Sequence, residues 1–390
     1  MKVALIIVSF SIGGAEKRYY NLIRFLSDNF DWQFTLYINS SLHKALEERL
    51  GPLPDRCEVI PVYEGLGAKW FDYLDARIHG AWWNKLVPDW SRRYIHFGLW
   101  KARGVLLGLF GKSQWPDEPS GFDVCHWVFL APPGAKMKMG PSVIFTVFST
   151  GIRKIATRNT IFQKAAANAV YFDILSEDLR LGLIEAVGDE AATRMITAPC
   201  SFIDYSNTRI GKKRKIVAFS GRFHRIKNPL LFVEMASLVL EQDPEVEFFM
   251  MGNGPLETEI SKEVDARGIS DRVTIGHQKN PGEILSSALV FVSIQNLNNY
   301  PSQALIEAMA CGCATVASDE GETFKLVNDE TGKRVPLVAE DIANAVIKFI
   351  KDPDLAMTCG EKAREKVISQ HTVSKYAEHL RKLYELARNE

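Results

Sequence analysis

The sequence predicts an α/β fold built from two domains, each a doubly wound parallel sheet. Three observations carry this expectation. At 390 residues the chain is longer than one hydrophobic core of ordinary size supports. Short apolar runs recur, each followed by a turn and then by a stretch with helical apolar spacing. That alternation begins at Val3 and begins afresh at Ile216.

The first run, Val3 to Val8, is continuously aliphatic, as a strand covered on both faces should be. A Gly13-Gly14 turn follows, and Tyr19, Leu22, Ile23 and Leu26 then repeat with helical spacing across Ala15 to Leu26. Trp32 to Ile38 is the next strand and His43 to Leu50 the next helix. Strands resume at Val124 to Phe129, Ser142 to Phe148 and Val170 to Leu175. Between about 64 and 120 the pattern breaks. The stretch from Tyr63 to Ser120 holds Trp70, Trp82, Trp83, Trp90, Trp100 and Trp115, interleaved with lysine and arginine. Such a composition suits a membrane interface, and equally a core or a lid over a binding cleft.

Gly211 to Lys215 is short, polar and basic and reads as a linker. The second domain then runs Ile216–Ser220 (strand), Pro229–Glu241 (helix), Phe248–Met251 (strand), Leu256–Arg267 (helix), Pro281–Ser287 (helix) and Leu289–Ser293 (strand). Ala304–Ala310 (helix) and Ala314–Ser318 (strand) follow. Ser374 to Arg388 has helical spacing through Tyr376, Leu380, Leu383 and Leu386. The expected division is an N-terminal domain at 1–205, a second domain at 206–372 and a terminal helix at 373–390.

Composition narrows the function classes. Lysine plus arginine and aspartate plus glutamate are both 47, so no overall charge favours nucleic acid. Cys57, Cys125, Cys200, Cys311, Cys313 and Cys359 form no metal-ligand spacing and no disulfide framework, and read as buried reduced thiols of a cytosolic protein. The apolar N-terminus is too short for a signal peptide and passes at once to Glu16, Lys17 and Arg18. No aspartate-rich metal motif is present, so no metal and no cofactor is expected.

Four motifs bear on chemistry. Gly13 and Gly14, between strand and helix, allow backbone N–H groups to approach an anion, or simply make a tight turn; the dinucleotide fingerprint is missing. Ser220-Gly221-Arg222 with Lys227 puts two cations on a strand-to-helix loop, where open α/β sheets bind ligands, and two cations at that spacing suit a diphosphate. The alternative is a solvated basic loop. Gly252-Asn253-Gly254 repeats the strand, glycine turn, helix pattern, as a ligand approach or a plain turn. Last, a loop Asn299-Tyr300-Pro301-Ser302-Gln303 enters a helix at about Ser302, with Glu307 in its first two turns. N–H groups free at such an end can bind hydroxyl or phosphate oxygens, and a carboxylate among Leu305, Ala308 and Met309 could accept the hydrogens of a ribose diol.

Together these motifs resemble the retaining glycosyltransferases of family four, whose GT-B fold sets two Rossmann-like domains facing across a cleft. The resemblance extends over nearly the whole chain and is best from Ile216 to Arg334. It includes Glu307-Ala308-Met309-Ala310-Cys311-Gly312 and Ser176-Glu177-Asp178-Leu179-Arg180. It implies that Arg222 and Lys227 hold a donor diphosphate and Glu307 its ribose, with Gly13, Gly14, Gly221, Gly254, Asn299, Tyr300, Pro301, Ser302 and Gln303 around the donor. It also implies a UDP- or GDP-linked hexose, retention of configuration, no metal, and closure of the domains.

Asn299 stands where the family carries the first of two glutamates, so its amide is expected to face the donor sugar. His126 is the nearest candidate for an active-site histidine on the acceptor side, although a histidine at a strand end is more often structural. The terminal helix is expected to pack on the N-terminal domain. The implied acceptor is a glycan or a lipid-linked glycan in cell-surface polysaccharide synthesis, reached at the inner face of the cytoplasmic membrane through 78–115. A sugar-nucleotide epimerase of the same fold and a non-catalytic nucleotide-sugar binder are the rival classes.

Overall fold

The computed structural model describes residues 1–7, 14–62, 121–128, 140, 142–147, 160–168, 170–198, 205, 208–278 and 280–389. Gly13, the tryptophan-rich stretch 64–120 and Phe148 lie outside them.

The chain divides into two compact units: Met1–Ile174 with Leu179–Thr197 and Ala377–Glu390, and Leu175–Asp178 with Ala198–Tyr376. The N-terminal unit is built from β1 (Lys2–Ile7), α1 (Gly14–Asn29), β2 (Gln33–Asn39), α2 (Ser40–Leu50), β3 (Cys57–Val62), β4 (Val124–Trp127), β5 (Val143–Val147), α3 (Thr160–Ala167), β6 (Tyr171–Ile174), α4 (Glu177–Val187) and β7 (Met195–Thr197). Its seven described strands are all parallel, in the order β3-β2-β1-β4-β5-β6-β7. The aliphatic start of the chain forms the middle of that sheet, and Val3 to Ile7 are buried.

The C-terminal unit follows the same grammar. It holds β8 (Arg214–Ser220), α5 (Pro229–Gln242), β9 (Glu247–Met251), α6 (Glu257–Ala266), β10 (Val273–Gly276), α7 (Pro281–Ser287), β11 (Ala288–Ser293), α8 (Gln303–Ala310), β12 (Ala314–Ser318), β13 (Gly332–Val335), α9 (Ala339–Lys351) and α10 (Pro353–Gln370). The final helix, α11 (Val373–Asn389), belongs to the N-terminal unit from Ala377 onward. The six strands are parallel and ordered β10-β9-β8-β11-β12-β13. Chain order therefore reverses between β8 and β11, the topological switch point where open α/β sheets bind ligands.

Both faces of this sheet are covered, which is why β11 reads as an unbroken apolar run rather than an alternating one. Val290 and Val292 pack with Phe219, Phe232, Val346 and Phe349 on the side of α5 and α9. Phe291 packs with Leu305, Met309, Ala363 and Val367 on the side of α8 and α10. Each such side chain, fully buried, stabilises the fold by about 1.5–3 kcal/mol. That clamps the strand ends carrying the site loops.

The expected linker is shorter than its composition suggested. Arg214 and Lys215 are already strand, with Arg214 in register with Ala288 of β11, and their side chains reach Glu247 and Asp243 at 2.7 Å each. No described helix is long and apolar enough to cross a membrane. Cys57, Cys125, Cys311, Cys313 and Cys359 are free and buried. Burial pushes the Cys125 and Cys313 thiols up to about 12, so they are chemically quiet.

Candidate functional site

The site is a set of loops at the C-terminal edge of the β8–β13 sheet. The loop leaving β8 carries Gly221, Arg222 and Lys227 and ends at Asn228, in a left-handed conformation (φ 47°, ψ 47°) at the N-terminus of α5. The loop leaving β9 is laid directly against it: Gly221 N–H donates to Met251 O (3.0 Å), Phe223 N–H to Asn253 O (2.8 Å) and Leu256 N–H to Phe223 O (3.2 Å). A Cβ on Gly252 would lie 1.9 Å from Gly221 O, and one on Gly254 would lie 2.5 Å from Phe223 O. The close approach at Gly252-Asn253-Gly254 is thus between two loops, and Gly254 lies against the Phe223 backbone.

Lys227 and Arg222 differ in their surroundings. Lys227 is half-buried and donates to Gln295 Oε1 across the switch point, and burial depresses its ammonium below the usual lysine range. Among the described residues no carboxylate pairs with it. Arg222 is exposed, and its guanidinium has no hydrogen-bond or ion-pair partner among the described residues. The site therefore holds two cations with no anion from the described residues to neutralise them.

The loop leaving β11 is tied to the β8 loop at three points: Lys227 to Gln295, Asn228 Nδ2 to Asn296 Oδ1, and Asn296 N–H to Ile226 O (3.1 Å). It then runs through Asn298, whose Oδ1 accepts from Tyr300 N–H and from Glu322 N–H, both at 3.0 Å. The Tyr300-Pro301 peptide is cis. Lys325 Nζ stands 5.2 Å from the centre of the Tyr300 ring. Ser302 takes the N-cap position of α8, but its hydroxyl makes no capping bond. The first N–H groups of that helix are therefore not met by a side chain at the N-cap, as a hydroxyl- or phosphate-binding helix end requires. At the first residue of the helix, Gln303 Nε2 donates both to Glu307 Oε1 (3.0 Å), one turn on, and to Tyr205 Oη (2.7 Å).

Two expected residues are placed differently. Asn299 is buried, with 1% exposure, and its Nδ2 donates back to Ser293 O (3.1 Å) and Ser293 Oγ (2.8 Å). Its donor end anchors the loop to β11, because a buried amide needs a partner and the strand end supplies one. It therefore does not offer this group to a sugar.

His126 is fully buried on β4 in the N-terminal unit. Its Nδ1 meets Tyr384 Oη at 2.7 Å and its Nε2 meets Thr146 Oγ1 at 2.6 Å. Thr146 donates to Asp173 Oδ2 (3.0 Å), and His379 Nε2 lies 2.9 Å from Asp173 Oδ1. Burial pushes the His126 imidazole down to about 4. With both nitrogens engaged inside the core, His126 is a structural residue, and the expected active-site role is set aside. Gly14 opens α1, while Gly13 falls outside the described residues.

Gln295, Glu322 and Tyr205 were not singled out from the sequence, and Asn296 and Asn298 entered only as members of the loop before α8. Amides in a loop carry no motif, and Tyr205 is remote from Gln303 in the chain. The sole cue was the density of amide side chains from Gln295 to Asn299.

Described residues contain no cluster of three or more potential metal ligands. The geometry therefore offers paired free cations, an uncapped helix end and an oriented carboxylate, all at the β8–β11 switch point and the helix that follows β11.

The two parallel sheets define a chain of GT-B fold. Residues 204–366 match the family described as Glycosyl transferases group 1. The alpha-D-kanosaminyltransferase of Streptomyces kanamyceticus is 27% identical over 44% of this chain and 45% of that protein. The N-acetyl-alpha-D-glucosaminyl L-malate synthase of Bacillus anthracis is 28% identical over 45% of this chain and 46% of that protein. The chain thus spans about half the length of these curated relatives. Over the whole chain, the crystal structure of an S. aureus TarM mutant in complex with fondaparinux, alpha-GlcNAc-glycerol and UDP has the same fold. Its TM-score is 0.68 at 14% identity, covering 98% of this chain and all (100%) of that one.

Proposed function

We propose that the protein is a retaining glycosyltransferase that moves a hexose from a nucleoside-diphosphate donor to a glycan or lipid-linked acceptor in cell-surface polysaccharide synthesis. The observation that carries this reading is Lys227: a half-buried ammonium at the switch point, held by a neutral amide, with the free Arg222 on the same loop. Removing a cation from water is costly unless an anion meets it. A pyrophosphate supplies that anion, gripped by Arg222 through two oxygens and by Lys227 as a point charge. As the sugar–phosphate bond breaks, charge grows on the leaving diphosphate, and preorganised cations stabilise it. Glu307, oriented by Gln303, accepts from the ribose hydroxyls. The uncapped start of α8, with Tyr300, Pro301 and Ser302 before it, is the donor-side edge.

One curated relative is named a kanosaminyltransferase and the other a glucosaminyl malate synthase, and UDP is present in the TarM complex, so UDP-hexoses head the donor screen. In this reading the two cations do the work of a metal ion, and donor binding survives chelation of divalent ions. The acceptor is met at the inner face of the cytoplasmic membrane, a reading supported by the tryptophan and lysine/arginine content of 78–115.

The test is a thermal-shift screen of UDP-, GDP-, ADP- and CMP-hexoses, followed by transfer assays with the stabilising donor. Arg222→Ala and Lys227→Ala should each lower transfer by about 10²–10³-fold. A panel in which no nucleotide sugar stabilises the protein overturns the reading. Donor turnover to free sugar with no acceptor product assigns the protein to the epimerases instead.

A further inference from the structure

We propose that Gln295 is the positioning residue of the diphosphate site, aiming Lys227 and linking it to the loop that leads into α8. The inference rests on the diphosphate reading above and deepens it.

Gln295 is 7% exposed and fixed at both ends. Its backbone N–H donates to Ser318 Oγ (3.2 Å) and its carbonyl accepts from that same hydroxyl (3.1 Å), pinning it to the end of β12. Its side chain bridges two partners of fixed polarity. Lysine can only donate and a carbonyl can only accept, so Oε1 must face Lys227 Nζ and Nε2 must face Asn298 O, at 2.6 Å. The orientation of this amide is dictated by its neighbours.

A neutral acceptor is the fitting choice for that place. It holds one of the three ammonium hydrogens and leaves the positive charge intact for an incoming phosphate. A carboxylate there would form an ion pair and compete with the ligand. Gln295 is also the point where phosphate contact meets loop geometry. Its amide grips the carbonyl of Asn298, and Asn298 Oδ1 in turn holds the N–H groups of Tyr300 and Glu322. Displacing Lys227 would therefore be felt along the segment that ends at the open N-terminus of α8.

The experiment compares wild type, Lys227→Ala, Gln295→Met and Gln295→Glu for binding of inorganic pyrophosphate by calorimetry, from neutral to alkaline pH, with the urea midpoint of each variant recorded. Gln295→Met should weaken binding by about tenfold, the worth of a hydrogen bond to a charged group. Losing that acceptor disfavours the ammonium, so the alkaline limb of binding should move to lower pH. Gln295→Glu should weaken binding about as much as Lys227→Ala while moving the limb to higher pH, because a carboxylate favours the ammonium yet competes for it. Lys227→Ala supplies the titration of pyrophosphate itself. A residue that merely stabilised the fold would lower the urea midpoint and leave the alkaline limb in place. Binding and limb unchanged in both Gln295 variants, with Lys227→Ala impaired, overturns the role of Gln295 and leaves the diphosphate site standing. Binding unchanged in Lys227→Ala overturns the diphosphate reading itself.

Discussion

Gln303 donates its side-chain amide to the Glu307 carboxylate at 3.0 Å, one turn away on the same helix, and to the Tyr205 hydroxyl at 2.7 Å. A carboxylate oriented in this way presents its remaining lone pairs in a defined direction, which is what recognition of a diol needs. Glu307→Gln keeps the size but loses the charge. It should weaken UDP binding by about 10–100-fold, the range of one or two charge-assisted hydrogen bonds. Binding of inorganic pyrophosphate, which has no ribose, should stay as in wild type. Equal loss for both ligands would remove Glu307 from the ribose role.

Arg222 is exposed and unpaired among the described residues, so its substitution should leave the fold alone. Arg222→Lys preserves the charge and abolishes the two-oxygen fork. Transfer should fall by at least about tenfold, with the thermal midpoint of the apo protein within about 1 °C of wild type. An arginine that acts only through net charge would tolerate lysine, and full activity in this variant would show that.

Acid stability follows from the buried cluster in the N-terminal unit. Burial holds the His126 imidazole neutral down to about 4, whereas the unfolded chain takes up that proton below about 6.5. The unfolded state therefore binds more protons between those values. Stability is fully present above about pH 6.5 and falls as the pH drops toward 4, by roughly 3 kcal/mol from this group. Asp173 contributes in the same direction further down. Burial acts to raise its carboxyl, but the hydrogen bond and charge of His379, with Arg18, hold it well below the usual range. Its contribution is lost as the pH falls through and below the ordinary carboxylate value. Urea unfolding of wild type and His126→Gln from pH 7 to 4.5 checks this. The two curves should converge as the pH falls, because glutamine has no proton to gain. Parallel curves would refute the assignment.

The fold was legible because β1, β8 and β11 each contain a continuous apolar run, as parallel strands buried on both faces require. The pair Arg222 and Lys227 was singled out because it follows directly on such a strand, and Glu307 because a carboxylate in an apolar helix is conspicuous. What composition could not give was the direction of the short amides. Asn299 was expected to face a sugar, yet its Nδ2 turns inward to Ser293, a choice made by the cost of burying an unpaired donor. His126 is the converse case, for its partners Thr146 and Tyr384 come from other elements, one of them 258 residues away. The basic segment ending at Lys215 was read as linker because the strand that takes Arg214 into register, at Ala288 of β11, lies far along the chain.

Two loops of the site are stacked backbone to backbone, and Gly252 is the residue that permits it. A Cβ there would sit 1.9 Å from Gly221 O and 3.2 Å from the Phe223 ring. Gly221 cannot retreat cheaply, since its N–H is bonded to Met251 O at 3.0 Å and its neighbour Arg222 leads into the cationic loop. Gly252→Ala should therefore cost about 1–3 kcal/mol by overpacking. It should also weaken pyrophosphate binding, because the shift falls on the segment that carries Arg222 and Lys227. Gly282→Ala is the matched control. That glycine lies inside α7 with only the Asn280 Oδ1 at an ordinary 3.6 Å, so alanine should be neutral or stabilising, by up to about 1 kcal/mol. Denaturant titration and pyrophosphate calorimetry on both variants give the comparison. Gly252→Ala behaving like Gly282→Ala in both would show that the two loops are free to separate, and that the cations are not held in place by the β9 turn.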